Sequence, residues 1–168
     1  MIPLSIYLLL VIELALVSWG DIRTQKIPNF WSLLNIVFFI FFLFFLPEIY
    51  PFAWATFLYS AVFLAVGFVL FLLKIMGGGD SKFLFSFFLL IPVSLQSRAL
   101  ILLLLSTVLI GGFLLLTNIG KNHEKIVAAI KTGYIRGIKE CFGTKFSFAP
   151  VILLAWLWLG WEIGLISF

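Results

Sequence analysis

The chain has 168 residues, of which 64% are hydrophobic and only 11% charged, where a soluble globular domain carries about 25% charged residues. That excludes a soluble domain and leaves an all-α polytopic membrane protein, one membrane-embedded domain over residues 1–168 with no room for a separate soluble unit. The net charge of +4 follows the loops between apolar segments, which is a topology pattern, so no nucleic-acid partner is expected. A single cysteine, Cys141, and a single histidine, His123, exclude an internal disulfide, a multi-cysteine zinc cluster and the two-histidine zinc motif of membrane metalloproteases. No metal and no cofactor is expected.

In chain order, the first apolar run has no Lys or Arg ahead of it and no small-x-small cleavage site after it. It therefore reads as a retained span and not as a signal peptide. Six spans are predicted, over residues 2–20, 30–46, 52–76, 77–97, 99–117 and 148–166, with a polar stretch at 118–147. Pro47 and Pro51 mark the turn after the second span, because proline cannot continue a helix. The fourth span is too short if it starts at Phe83 and adequate if it starts at Gly77, which places the glycines and Asp80 at membrane level. Residues 121–142 space Ile126, Ile130, Tyr134 and Ile138 at i, i+4, as an interfacial helix on anionic lipid would; a solvated basic loop fits equally. His123 and Cys141 read as an ordinary loop residue and an ordinary thiol. Trp19, Trp31, Trp54 and Trp161 fall where aromatic belts lie.

Six spans put Asp21, Asp80 and the 118–147 stretch on one side. That side holds every one of the eleven basic residues except Arg98. The positive-inside rule then places both aspartates on the cytoplasmic side and both termini on the extracytoplasmic side. Glu162 falls at the opposite end, far from the aspartates.

Asp21 and Asp80 are the only aspartates in the chain. Carboxylates at membrane level are costly, and each is a functional-site candidate for that reason. Two carboxylates at hydrogen-bonding range cannot both ionise, so one keeps a proton as the acid while the other activates water as the base. The sequence does not assign which is which. Gly77, Gly78 and Gly79 precede Asp80 without side chains, which would let an extended substrate backbone come close.

The pairing of Asp21 and Ile27-Pro28-Asn29 with Gly77-Gly78-Gly79-Asp80-Ser81-Lys82 resembles the type IV prepilin peptidases and preflagellin peptidases, the GxGD-type membrane aspartyl proteases. Ser147-Phe148-Ala149-Pro150 resembles a third, weaker family element, with Ser147 in place of a proline. The resemblance implies cleavage of a basic leader from a prepilin-like or preflagellin-like protein, at the cytoplasmic face and ahead of its hydrophobic N-terminal helix. Asp21 and Asp80 would be the catalytic pair. The chain lacks the four-cysteine region of the bifunctional members, so methyl transfer is not expected. The partners implied are that substrate and membrane lipid.

Four further residues are candidates to support the pair. Lys82 is a topology-setting lysine or a cation near the carboxylates, and Glu13 a polar group in a wet cavity or a helix-packing hydrogen-bonder. Pro28 and Asn29 open and cap the second span. Two other functions stay open on composition: a non-enzymatic scaffold of a pilus or secretion system, and a small proton-coupled transporter relaying through Glu13, Asp21 and Asp80. Serine-type proteolysis is disfavoured, since there is no G-x-S motif and His123 lies in a charged loop.

Overall fold

A computed structural model describes residues 2–73, 76–132 and 147–165, and their side chains except those of 122–132. Every regular element among them is helical. Helices α1 (Leu4–Thr24), α2 (Asn29–Phe45), α3 (Trp54–Leu72), α4 (Gly78–Leu89), α5 (Val93–Thr132) and α6 (Ala149–Glu162) follow in order. Three segments are long and apolar enough to cross a membrane: α1, α3 and residues 93–121 of α5. Helices α2 and α6 are shorter, at 17 and 14 residues.

The helix boundaries follow local chemistry. Helix α1 runs past the apolar segment to Thr24 and closes on Gln25, whose φ of 52° is the left-handed turn that ends many helices. Pro28 is extended and sits immediately ahead of α2, where its fixed φ and missing N–H cost nothing. Asn29 is the first helical residue and makes no side-chain cap, contrary to the capping role expected of it.

Two sequence expectations are corrected. The fourth predicted span, 77–97, is not one helix. Helix α4 has 12 residues, about 18 Å at the helical rise, and residues 93–97 already belong to α5. Pro92 is the reason, since it separates the two helices. The predicted fifth span, 99–117, also runs on as helix, so residues 121–132 take the helical one of the two readings open for them. No proline occurs between Pro92 and Pro150, and isolated glycines cost a helix only about 1 kcal/mol each, so α5 continues to Thr132. The remainder of the 121–142 stretch, with Cys141, lies outside the described residues, as does the side chain of His123.

The helices pack in two groups. Helix α6 lies against α1 and α5, while α4 lies against α2 and α3. Within the first group, the Tyr7 hydroxyl donates to the Trp156 carbonyl at 3.2 Å and the Trp156 indole N–H donates to the Tyr7 carbonyl at 3.4 Å. Their rings stack with centroids 5.3 Å apart. Between the groups, Phe87 of α4 meets Trp156 of α6 edge to face at 5.5 Å. Large aromatic side chains therefore fill the seam where the two groups meet.

One end of the bundle is closed by side chains that satisfy the carbonyls left open where α4 stops. The Tyr50 hydroxyl donates to Leu90 O at 2.8 Å, and Gln96 Nε2 reaches the carbonyls of Thr56, Phe88 and Ile91 at 3.1–3.2 Å. Arg98 and Glu162 pair at the same end, which agrees with the expectation that Glu162 is remote from the aspartates. Replacing Gln96 by Leu removes the donor from buried carbonyls on three segments. We expect it to destabilise the bundle by about 1–3 kcal/mol, read as a lower thermal unfolding midpoint in detergent with the helical signal of the folded state unchanged.

Candidate active site

The opposite end of the bundle gathers the last turn of α1, the α1–α2 connection and the first turns of α4 and α6. Asp21 occupies the last turn of α1 and is 3% exposed. Its Oδ2 accepts the backbone N–H of Ala149 at 3.0 Å, and its carbonyl accepts the N–H of Gln25 at 2.8 Å and the Ser147 hydroxyl at 3.3 Å. Ala149 is the first residue of α6, with proline in that first turn. A helix start offers N–H groups with no partner inside the helix and the positive end of its dipole. Here those features meet a buried carboxylate, as they do at anion sites generally.

Asp80 lies in the first turn of α4, outside the three long apolar helices. It is half-buried, and its Oδ2 accepts the N–H of Gly77 at 3.2 Å. It thus closes its own helix start from the third helical position, with Gly77 as the capping residue. Burial above all, and then the negative charge of Asp21, hold the Asp80 carboxyl above its ordinary range; the Gly77 N–H pulls the other way. The two carboxylates, 59 residues apart in the chain (21 to 80), thus feel each other's charge in the fold.

The three glycines are not equivalent. A Cβ at Gly79 would overlap the backbone carbonyl oxygen of Ile27, closer than real Cβ atoms come. This residue lets the start of α4 seat against the α1–α2 connection, which sets the two aspartate-bearing segments side by side. A Cβ at Gly77 would crowd Asp80 Oδ2 at 3.0 Å, whereas one at Gly78 would make ordinary contact with Phe71 at 3.5 Å. The close approach is made to the chain's own backbone at Gly79; approach by a substrate belongs to the functional reading below.

Lys82 is exposed and lines an open groove with Phe30, Leu33, Ile36, Leu64 and Phe85. Pro28 and Asn29 are exposed at the foot of α2. Glu13 is buried two turns before Asp21 on α1, away from the aspartate pair and beside Asn35. Among the described residues, no three His, Cys, Asp or Glu side chains cluster as metal ligands would.

Sequence reasoning gave the Ser147–Pro150 segment no role beyond likeness. The structure makes it the hydrogen-bonding partner of Asp21. The available signal was Pro150 close behind a small residue, which marks a helix start with free N–H donors. Asn35 and Ser86 were also missed, since single polar residues in apolar helices carry no spacing pattern.

A family model described as the type IV leader peptidase family matches residues 8–116, a stretch holding Glu13, Asp21, the three glycines, Asp80 and Lys82. No curated protein and no solved structure matches the chain. The match covers well over half of the sequence and includes both aspartates that the fold brings together, and the chain therefore belongs to the type IV leader peptidase family, a family of proteases.

Proposed function

We propose that the protein is an aspartic endopeptidase that removes the basic leader of a prepilin-like or preflagellin-like substrate. The observation that carries this reading is the mutual placement of Asp21 and Asp80 at one end of the bundle. The chain is read as lying in the cytoplasmic membrane with six spans and both termini extracytoplasmic, the first turn of α4 with Asp80 standing at the cytoplasmic edge outside the spans. The aspartate end then faces the cytoplasm, as the basic residues at that end require. The site's own groups supply acid and base, so no metal and no cofactor enters the reading.

In this mechanism the proton of the pair resides on Asp80, whose surroundings favour the neutral carboxyl. Asp21 takes a proton from water as the water oxygen attacks the scissile carbonyl carbon, and Asp80 gives its proton to the carbonyl oxygen. The tetrahedral diol then collapses as its nitrogen receives the proton held on Asp21, the C–N bond breaks, and a diol hydroxyl returns a proton to Asp80. Water is the only co-reactant and both carboxyls end as they began. The substrate's apolar helix would lie in the groove beside α2 and α4, which begins at Asn29 and Lys82. Its scissile bond, just ahead of that helix, would reach the level of Gly77 and Asp80. Contact within lipid would come from van der Waals packing, since apolar burial gives little drive between helices there.

Three outcomes are expected with a synthetic substrate carrying a basic leader, a glycine and an apolar helix. Asp21→Asn and Asp80→Asn each lower cleavage by roughly a thousandfold or more while membrane insertion and helical content are retained; normal processing by the double variant would end the catalytic reading. Gly79→Ala lowers cleavage because the start of α4 must move off the Ile27 carbonyl, whereas Gly78→Ala, with room for its methyl, is closer to the unchanged protein. The third concerns pH. Activity needs the proton on Asp80, and its carboxyl is raised, so activity falls as pH climbs through that raised value. The alkaline limb of kcat against pH is therefore expected above the free aspartate value of about 4; a limb at or below that value contradicts the assignment of acid and base.

A further inference from the structure

The two residues that flank Asp80 in the chain both make close contacts with other segments. Gly79, before it, abuts the Ile27 carbonyl of the α1–α2 connection. Ser81, after it, is 5% exposed and meets Gly67, a buried residue of α3. A Cβ at Gly67 would stand 2.6 Å from both Cβ and Oγ of Ser81 and 3.2 Å from its Cα. Rotation about χ1 can swing the Oγ aside, but the Cβ and Cα of Ser81 move only with α4 itself. Gly67 is therefore a place where α3 and α4 approach to backbone distance, as small residues allow in membrane bundles.

Helical geometry gives the two contacts a common effect. At about 100° per residue, positions 79 and 81 lie on nearly opposite faces of α4, with Asp80 midway between them. The turn that carries Asp80 is thus held from two sides, by the α1–α2 connection and by α3. A methyl group at residue 67 can be accommodated in two ways. Either the turn moves towards the Ile27 carbonyl, where Gly79 already has no room, or α3 lifts away and the turn loses its backing. Both change where Asp80 stands relative to Asp21, which is carried by the other helix group.

We infer that Gly67 is a positioning residue for Asp80, its bare backbone seating Ser81 so that the first turn of α4 is fixed between α3 and the Ile27 carbonyl. Helix α3 carries no carboxylate, so its part in the chemistry is to hold that turn. A misplacement on the order of 1 Å can slow a chemical step about a hundredfold, which makes one methyl group at this contact a measurable perturbation.

This role rests on the peptidase reading, and the two fail differently: an inactive wild-type chain sinks that reading, whereas an active one indifferent to Gly67 sinks only this inference. The test measures kcat and KM per folded molecule in lipid nanodiscs, on the synthetic leader substrate, for Gly67→Ala, Ser81→Gly and the double variant. Gly67→Ala is expected to lower kcat about tenfold, with KM changed much less. Ser81→Gly alone leaves the contact empty and lowers kcat by a smaller factor. In the double variant the new methyl takes the place of the lost serine side chain, and kcat rises well above that of Gly67→Ala, the opposite of additive losses. Glycine weakens a helix, so Ser81→Gly has no general stabilising effect by which to restore activity. The inference is overturned if Gly67→Ala leaves kcat unchanged, if its loss is mainly in KM, or if the double variant is no more active than Gly67→Ala. Should Gly67→Ala not fold, the double variant is read in its place: a folded, active chain supports the role, and one that stays unfolded or inactive overturns it.

Discussion

A buried carboxylate in an apolar bundle must be given donors, and the fold of this protein is arranged around giving them to Asp21. Its partner is the N–H of Ala149, 128 residues further along the chain. That charge-assisted bond, of the class contributing about 1.5–3 kcal/mol, requires the first turn of α6 to sit on the last turn of α1. The reciprocal Tyr7 and Trp156 hydrogen bonds then hold the same two helices together further along their length. Asp21 is thereby anchored to the α1–α5–α6 group. Under the proposed function that anchoring matters, because a group that acts on a substrate has to be held at a fixed position.

Asp80 is anchored to the other group. Helix α4 packs on α2 and α3, and Asp80 is held by its own helix start through Gly77 N–H. Each carboxylate therefore has its own backbone donor on its own side of the seam, and the separation of the pair is a property of how the two groups meet. Two kinds of contact set it: the Gly79 backbone against the Ile27 carbonyl at the level of the site, and the seam of Phe87 and Trp156 beneath. A site divided in this way is sensitive to substitutions that touch no reacting atom.

Much of this was legible in the residues. Composition alone establishes a membrane protein built of helices, because no other way of satisfying backbone groups suits so apolar a chain. The two aspartates stood out because carboxylates are rare and costly there, and their chain positions next to glycine and proline breaks marked the ends of helices. Less legible was anything decided by a partner distant in sequence. Nothing near Asp21 announces Ala149 as its donor, and nothing in apolar α2 announces that Asn35 reaches Ser86. The boundaries of α4 and α5 were misread for a local reason: hydropathy runs continuously through Pro92, so the apolar pattern fused what the proline divides. After residue 117 polarity left helix and loop equally open, and helix-compatible residues carry α5 to Thr132.

The glycine run before Asp80 shows how one motif answers two demands. A substrate-facing reading asks only for an unobstructed backbone, and by that measure the three glycines would be interchangeable. The packing ranks them instead. Gly78 faces a ring edge with room for a methyl group, Gly77 lies beside the carboxylate whose N–H bond it donates, and Gly79 abuts a carbonyl oxygen that belongs to the turn following Asp21. A carbonyl fixed between the end of α1 and Pro28 has little freedom to withdraw, since proline restrains the residue before it. Gly79 is therefore tied to the Ile-Pro pair at positions 27 and 28. Read this way, the two halves of the sequence signature, one after Asp21 and one before Asp80, are the two surfaces of a single contact, and that contact is what lets carboxylates 59 residues apart in the chain share a site.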